Sequence, residues 1–236
     1  IVFISSDAVF PEGESFRSEK SKTRAINAYG RSKLYGEQAL LGSRGQHVVV
    51  RTTIVGVNRN PSKQSFVDWF IKSLSHGKAV SLFEDAIFTP ISIWHLADAL
   101  EWFIENPFRG VVHVAGCEAT SKYEFGLRVC EQLGFDSRII QKAQLKEELF
   151  DAARSKDQTL DSKYFEELSG SRLPDVKEAV SSLAQEIAFL AQNNQETLQG
   201  QEIGYGRQYL DEKDYSAVMR TLQGDWLTQG SVVQEF

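Results

Sequence analysis

The sequence reads NAYGRSKLYGE over residues 27–37, and this stretch opens a predicted helix over residues 28–43. Tyr29 and Lys33 are four residues apart, which places both side chains on one face of that helix. A carbonyl reduction needs a proton donor, and a tyrosine whose phenolate is stabilised by a neighbouring ammonium is suited to that task. The same spacing also occurs in surface aromatic–cation pairs, so the surrounding sequence has to decide between the two interpretations.

Apolar runs and amphipathic stretches alternate along the rest of the chain. Short apolar runs predict strands over residues 1–5, 47–50, 79–83 and 110–114. Amphipathic stretches predict helices over residues 66–74, 93–104, 122–133 and 174–190. Strands that alternate with helices are typical of an α/β domain with a largely parallel sheet, which is the fold class that we expect.

The composition argues against several classes of partner. The 236 residues carry 26 basic and 32 acidic side chains, a net charge of −6, which gives no electrostatic reason to expect nucleic acid or an anionic membrane. No apolar run approaches the roughly 20 residues that a membrane-spanning helix needs. Cys117 and Cys130 form no metal-ligand pattern, so we expect no metal, and they predict buried thiols in a reducing, cytoplasmic compartment.

Both ends of the chain suggest a fragment of a longer protein. Residues 1–4 have the pattern of a buried strand, and residues 230–236 stop without completing an element. The composition changes after Ala191, where residues 192–202 are polar and rich in Gln and Asn, as expected of a linker. We therefore expect one domain over residues 1–191 and the beginning of another over residues 203–236.

Six segments carry a family resemblance in the correct order. They read SSDAVF at 5–10, YGRSKLYGE at 29–37, RTTIVG at 51–56, DAIFTPI at 85–91, GVVHVAG at 110–116 and DQTLD at 157–161. Together they resemble the extended short-chain dehydrogenase/reductase family, and more closely its branch of dTDP-4-dehydrorhamnose reductases and related sugar-nucleotide-binding proteins. The resemblance implies the C-terminal part of a Rossmann-like, doubly wound parallel sheet with a small α/β substrate-binding lobe.

The resemblance also implies roles for particular residues. Tyr29 would protonate the keto oxygen of a nucleotide-activated deoxy sugar, Lys33 would stabilise the phenolate and bind the nicotinamide ribose, and Ser6 would orient the same oxygen. Further contacts with NADPH or NADH are implied for Ser5, Arg51, Thr52 and Thr53. Substrate contacts are implied for Asp7, Val9, Phe10, Ile54, Asp85 and Thr89.

Some points stay open at the level of sequence. Ile54 stands where rhamnose reductases often carry Trp, so the identity of the sugar is not fixed. Arg51 could meet a phosphate or pair with an acidic neighbour, and Asp85 could bind substrate or cap a turn. Epimerases and dehydratases use the same Ser, Tyr and Lys, and the branch includes non-catalytic regulatory proteins, although the segments at 85–91 and 157–161 favour a reductase. The sequence is also compatible with a homodimer.

The glycine-rich dinucleotide fingerprint of the family is missing from the sequence. The family carries Gly-x-x-Gly-x-x-Gly upstream of the position of Ser6, in the first βαβ half. Gly204 and Gly206 follow the predicted linker rather than a strand, so they do not replace it. We expect that first half to lie upstream of Ile1, and residues 1–236 alone to bind the dinucleotide poorly and to be inactive.

The end of the chain carries a second resemblance. Residues 203–214 read IGYGRQYLDEKD and residues 225–230 read DWLTQG. These segments resemble the entry of the DegT/DnrJ/EryC1 aminotransferases, which use pyridoxal phosphate (PLP) on sugars. The resemblance implies a reductase fused to a sugar aminotransferase in deoxysugar and surface-glycan synthesis. The alternative is an amphipathic extension that packs on the reductase part.

Overall fold

The computed structural model describes residues 1–58, 63–146, 150 and 152–193 of the chain. The aminotransferase-like segment at 203–236 and the predicted linker beyond residue 193 lie outside the described residues. The strands, β1 to β10 in chain order, are Val2–Ser6, Val48–Thr52, Ile54–Val55, Val80–Phe83, Ile87–Phe88, Ile91–Ser92, Gly110–His113, Thr120–Ser121, Ile140–Ala143 and Asp157–Gln158. The α-helices, α1 to α6, are Ala28–Gly42, Phe66–Ser75, Ile93–Glu105, Lys122–Leu133, Lys163–Ser169 and Val176–Asn193.

A parallel sheet in the order β1-β2-β7 forms the first part of the structure. Its register pairs Ser6 with Thr52 and Arg51 with His113. Strand β2 is buried at every residue, as expected of a parallel strand that is covered on both faces. Because all three strands run in the same direction, the polar residues at their carboxyl ends meet at one edge of the sheet.

A second lobe forms around the parallel pair β4 and β9. Helices α2, α4 and α6 pack there on a separate apolar core that includes Phe70, Leu82, Phe125 and Val180. Strand β5 joins this lobe to the rest, because it pairs with β10 on one side and with β8 on the other. The two-residue strands β5, β8 and β10 therefore hold distant segments of the chain against the edge of the sheet.

Most predicted elements are confirmed, and two expectations about burial are wrong. Helix α4 covers the predicted residues and ends at Gly134, whose φ of 72° is left-handed. Ile1 and Ile4 are 72% and 37% exposed rather than buried, since Ile1 lies before the first residue of β1 and the side chain of Ile4 faces an open cavity. Cys130 is buried, but Cys117 is exposed. Among the described helices, none is long and apolar enough to cross a membrane.

Candidate active site

A cavity of about 390 Å³ opens between the edge of the β1-β2-β7 sheet and the second lobe. One side, which we call the sheet wall, consists of Ile4, Ser5, Ser6, Asp7, Tyr29, Lys33, Thr52, Thr53 and Ile54. The other side, which we call the lobe wall, consists of Phe88, Lys122 and Gln158. The cavity thus gathers the predicted catalytic residues with most of the predicted cofactor-contacting ones, and it adds groups that the sequence did not indicate.

Tyr29 and Lys33 reach the cavity from the first turns of α1. Asn27 caps this helix, since its side-chain oxygen accepts a hydrogen bond of 2.8 Å from the Gly30 amide. The Lys33 ammonium donates to the Ile4 carbonyl at 3.0 Å and lies 5.8 Å from the centre of the Tyr29 ring. Tyr29 is 57% exposed, so its phenol is open to a ligand in the cavity.

Gly30 allows α1 to approach the end of β1. An added Cβ at this glycine would overlap the carbonyl oxygen of Ala8, in the 3-10 turn Asp7–Val9. Backbone atoms cannot yield as the end of a side chain does, so a larger residue would push the helix away from the turn. The glycine that follows Tyr29 in the sequence motif therefore sets how closely Tyr29 approaches Ser6 and Asp7.

The two serines at the end of β1 differ in their partners. The Ser6 hydroxyl donates to the Asp7 carboxylate at 2.8 Å and accepts from the Ala8 amide at 3.2 Å. The Ser5 hydroxyl instead donates to the carboxylate of Glu37, which lies behind the wall. Ser6 is thus the serine whose bond a substrate oxygen could replace, whereas the Ser5 hydroxyl connects the wall to the carboxylate behind it.

A buried ion pair lies behind the sheet wall. The Arg51 guanidinium binds the Glu37 carboxylate through two nitrogens, at 2.6 Å and 2.9 Å, and both side chains are buried. The predicted contact between Arg51 and the cofactor is therefore corrected: the acidic neighbour binds its guanidinium, which does not line the cavity. The alternative of a salt bridge, which the sequence had left open, is the one found.

His113 completes this buried network. Its Nδ1 lies 3.0 Å from the Arg17 carbonyl, which can only accept, so Nδ1 carries the proton and Nε2 is left as the acceptor facing Arg51. Burial, with the nearby Arg51 charge, lowers the pKa of His113 to about 3. The ring is therefore neutral at physiological pH and serves the network as a fixed hydrogen-bonding group.

Four predicted substrate contacts do not line the cavity. Val9 and Phe10 are buried in a small apolar cluster, and Thr89 is buried and accepts from the Leu160 amide at 3.2 Å. Asp85 accepts from the Leu145 amide at 2.7 Å and pairs with Lys156 at 2.8 Å. These residues hold the loops around the cavity, because their side chains point to neighbours within the protein.

Two charged groups of opposite sign face the cavity without forming an ion pair. Burial raises the pKa of Asp7, and the hydrogen bond from Ser6 and the charge of Lys122 oppose this shift. Burial lowers the pKa of Lys122 to about 7, opposed by the charge of Asp7 and assisted by Arg154. Lys122 could not be identified as a site residue from the sequence, since a lysine in the first turn of a helix is usually solvated.

The chain is similar in sequence to a known protein family and to several curated proteins. The family model for the RmlD substrate binding domain matches residues 1–189. The probable low-salt glycan biosynthesis reductase Agl14 of Haloferax volcanii is 29% identical over 191 residues, which cover 80% of this chain and 63% of that protein. The dTDP-4-dehydrorhamnose reductase of Mycolicibacterium smegmatis is 27% identical over 139 residues, which cover 58% of this chain and 42% of that protein.

Solved structures show the same fold. The dTDP-4-dehydrorhamnose reductase of Bacillus anthracis, determined in complex with NADP, gives a TM-score of 0.71 at 24% identity over 78% of this chain and 65% of its own. The orthologue from Clostridium acetobutylicum gives 0.67 at 26% identity over 80% and 65%. These likenesses establish a Rossmann-like α/β fold. The chain spans less than two thirds of the length of each of these relatives.

Proposed function

The chain belongs to the family of RmlD substrate-binding domains, and from this membership we propose that it forms the catalytic and substrate-binding part of an NAD(P)H-dependent reductase. Its substrate is a nucleotide-activated deoxy sugar with a keto group, of the kind named for its relatives, the dTDP-4-dehydrorhamnose reductases. The observation that carries the proposal is the single cavity that brings Ser6, Tyr29 and Lys33 together at the carboxyl ends of β1 and β2.

Each of these side chains has a distinct task in the reduction. The Tyr29 phenol donates its proton to the keto oxygen as the carbonyl carbon is reduced. The Ser6 hydroxyl exchanges its bond with Asp7 for one to the same oxygen and so orients the carbonyl. The Lys33 ammonium, held by the Ile4 carbonyl, stabilises the phenolate that Tyr29 leaves behind.

The sheet wall also has the groups that a nicotinamide nucleotide needs. The Thr52 hydroxyl oxygen is buried beside the cavity and has no hydrogen-bond partner among the described residues, so a bound ligand would satisfy it. Lys33 and Tyr29 would hold the ribose hydroxyls, and Thr53 would border the ring. The cofactor, NADPH or NADH, would supply the hydride.

Two alternatives of the same superfamily are less well supported. The dTDP-glucose 4,6-dehydratase of Bacillus anthracis is similar in fold alone, at 13% identity and a TM-score of 0.65. The curated relatives that match by sequence include several named reductases. A non-catalytic regulatory protein would have no need to keep Ser6, Tyr29 and Lys33 around one cavity.

The proposal is tested by the oxidation of NADPH or NADH by the full-length protein, with dTDP- and UDP-linked 4-keto sugars as substrates. Removing the proton donor in Tyr29→Phe should lower kcat by about 100-fold or more. Tyr35→Phe is the matched control, because Tyr35 is on the same helix, is 66% exposed and does not line the cavity. A loss of less than about tenfold in Tyr29→Phe would exclude the general-acid role.

We also propose that residues 203–236 begin a PLP-dependent sugar aminotransferase fused to the reductase part. The motifs at 203–214 and 225–230 support this proposal. The expected outcome is that the purified full-length protein contains PLP in a near-equimolar amount. A full-length protein that neither contains nor takes up PLP would contradict the fusion and leave the reductase proposal unaffected.

A further inference from the structure

The short strands β5 and β8 and the start of α4 position Lys122 at the cavity. It is the first residue of α4 and follows β8 directly, where Phe88 of β5 pairs with Thr120. Ser121 caps the helix by accepting from the Glu124 amide at 3.0 Å, which fixes the backbone at the base of the lysine. The side chain then crosses two aromatic rings, with its ammonium 3.2 Å from the centre of Phe88.

The ammonium of Lys122 has no hydrogen-bond acceptor and no ion-pair partner within the part of the chain that the structure describes, although it lies close to the Phe88 ring. Two other lysines do have partners: Lys33 donates to the Ile4 carbonyl, and Lys142 contacts Glu84 at 3.1 Å. Contact with aromatic rings is worth only about 0.5–2 kcal/mol, so it does not replace the hydrogen bonds that a partly buried ammonium loses.

The charged groups around the ammonium indicate which ligand would satisfy it. Asp7 faces Lys122 from the sheet wall, and its carboxylate already accepts from Ser6. Arg154 contributes a more distant positive charge, and Lys33 and Tyr29 line the same cavity. A carboxylate on the ligand would be attracted by Lys122 but repelled by Asp7. An uncharged hexose suits this pair better, because its hydroxyls can both donate to Asp7 and accept from Lys122.

We propose that Lys122 is a specificity-determining residue that donates a hydrogen bond to a hydroxyl or keto oxygen of an uncharged hexose in the nucleotide-sugar substrate. The inference rests on the proposed function and deepens it, since it assigns the recognition of the sugar to the lobe wall. Its pKa of about 7 agrees with an ammonium that is desolvated before the ligand arrives.

The test compares two ligands that differ only in the sugar. Binding of dTDP and of dTDP-rhamnose to the full-length protein is measured by titration calorimetry for the wild type, Lys122→Met and Lys72→Met. Methionine keeps the apolar stem of Lys122 over the rings, and Lys72 is an exposed lysine of α2 outside the cavity. A hydrogen bond to a charged group is worth about 1.5–3 kcal/mol, so Lys122→Met should bind dTDP-rhamnose about 10- to 100-fold more weakly.

The other measurements separate this role from a structural one. Lys122→Met should bind dTDP as the wild type does, and Lys72→Met should bind both ligands normally. The affinity of the wild type for dTDP-rhamnose should fall as the pH rises through about 7, where the ammonium loses its proton, and Lys122→Met should lack this dependence. If Lys122→Met does not fold, Lys122→Gln, which keeps a shorter donor, is measured in its place.

The outcomes distinguish this inference from the proposal on which it rests. Equal binding of dTDP-rhamnose by the wild type and Lys122→Met would overturn the role of Lys122 and leave the reductase proposal standing. Equal weakening of dTDP and dTDP-rhamnose would also overturn it, because the lysine would then act on the nucleotide or on the fold. A wild-type protein that binds neither ligand and reduces none of the dTDP- and UDP-linked 4-keto sugars would overturn the proposed function itself, and this inference with it.

Discussion

The two walls of the cavity are built from different kinds of structure. The sheet wall stands on the ends of two paired five-residue strands and on α1, with the buried pair Glu37 and Arg51 behind it. The lobe wall stands on two-residue strands and the first residue of α4, with its ammonium on the Phe88 ring and no acceptor among the described residues. The sheet wall is supported from behind by a paired buried charge, Arg51 with Glu37, whereas the charge that the lobe wall brings to the cavity, Lys122, forms no ion pair among the described residues.

This difference separates the tasks that the walls perform. Chemistry needs groups held in fixed positions, and a bidentate ion pair with a neutral histidine behind the strands provides that rigidity. Recognition of a sugar needs groups whose hydrogen bonds are still to be made, and an unpaired ammonium provides one. A lobe wall made of short strands could also change between related enzymes without disturbing the catalytic residues.

The largest expected effect tests the paired charges behind the sheet wall. Glu37→Gln leaves the buried Arg51 without its counter-charge, so the free energy of unfolding should fall by about 3–5 kcal/mol in urea denaturation. Lys122→Met should change it by less than about 1 kcal/mol, because methionine removes a charge that has no partner and keeps the packing. Equal losses of unfolding free energy in the two variants would show that the paired charge behind the sheet wall and the unpaired charge of the lobe wall contribute equally to stability.

An exposed ion pair provides the control for this prediction. Arg138 and Asp136 lie 2.8 Å apart at the surface, with the arginine side chain 88% exposed. Removing it in Arg138→Gln should leave the urea midpoint unchanged, because water screens the pair and solvates the remaining charge. A loss comparable to that of Glu37→Gln would mean that burial is not the cause of the effect.

The next effect tests the approach of α1 to β1. In Gly30→Ala the new methyl group overlaps the Ala8 carbonyl, so the free energy of unfolding should fall by about 1–3 kcal/mol and kcat should fall with it. Gly42→Ala is the control within the same helix, since no described atom outside the local helix backbone lies within 4 Å of an added Cβ there. An active Gly30→Ala protein would show that Tyr29 does not need this close approach.

The sheet wall could be predicted from the sequence because its residues belong to continuous motifs on single elements. A four-residue helical spacing puts Tyr29 and Lys33 on one face, and the parallel register brings Ser6 beside Thr52. The same motifs contain Arg51 and Phe10, which do not line the cavity, because the Arg51 guanidinium is bound by Glu37 and Phe10 is buried in an apolar cluster. Membership of a motif does not show whether a side chain lines the cavity or supports it.

The lobe wall could not be predicted in this way. Phe88 and Gln158 belong to segments that the sequence had marked, but Lys122 does not. Its position depends on the pairing of β5 with β8, and two-residue strands have no periodicity that a sequence can display. The absence of an acceptor for its ammonium is a property of the assembled tertiary structure alone.

Another prediction concerns the pH dependence of the buried network behind the sheet wall. The pKa of His113 is about 3 in the folded protein against an ordinary value of 6.5, so below pH 6.5 the unfolded chain binds a proton that the folded chain does not. The contribution of the neutral His113 to the free energy of unfolding is therefore complete above pH 6.5. It decreases as the pH falls toward 3, by at most about 1.4 kcal/mol per pH unit. Glu19 is half-buried, and because partial burial raises its pKa, its protonation in the folded protein offsets part of this loss.

Urea unfolding at several pH values measures this slope. His113→Gln should have a shallower dependence than the wild type between about pH 6.5 and pH 4, because the titrating ring is gone. The exposed His76 is the control, and His76→Gln should keep the slope of the wild type. An unchanged slope in His113→Gln would mean that another group causes the acid sensitivity.

The smallest expected effect returns to α1, where a second glycine faces β1. An added Cβ at Gly36 would lie 2.6 Å from the edge of the Phe3 ring, which is a side chain on the edge strand. An added Cβ at Gly30 would instead meet backbone atoms. The ring can turn, and alanine gains about 1 kcal/mol of helix propensity over glycine, so Gly36→Ala should stay within about 1 kcal/mol of the wild type. The Lys33 ammonium lies 5.4 Å from the centre of that ring, so the KM for the cofactor reports any shift that the ring transmits. A loss of stability equal to that of Gly30→Ala would show that Phe3 is held as firmly as the backbone and that the sheet wall is rigid as far as its outer edge.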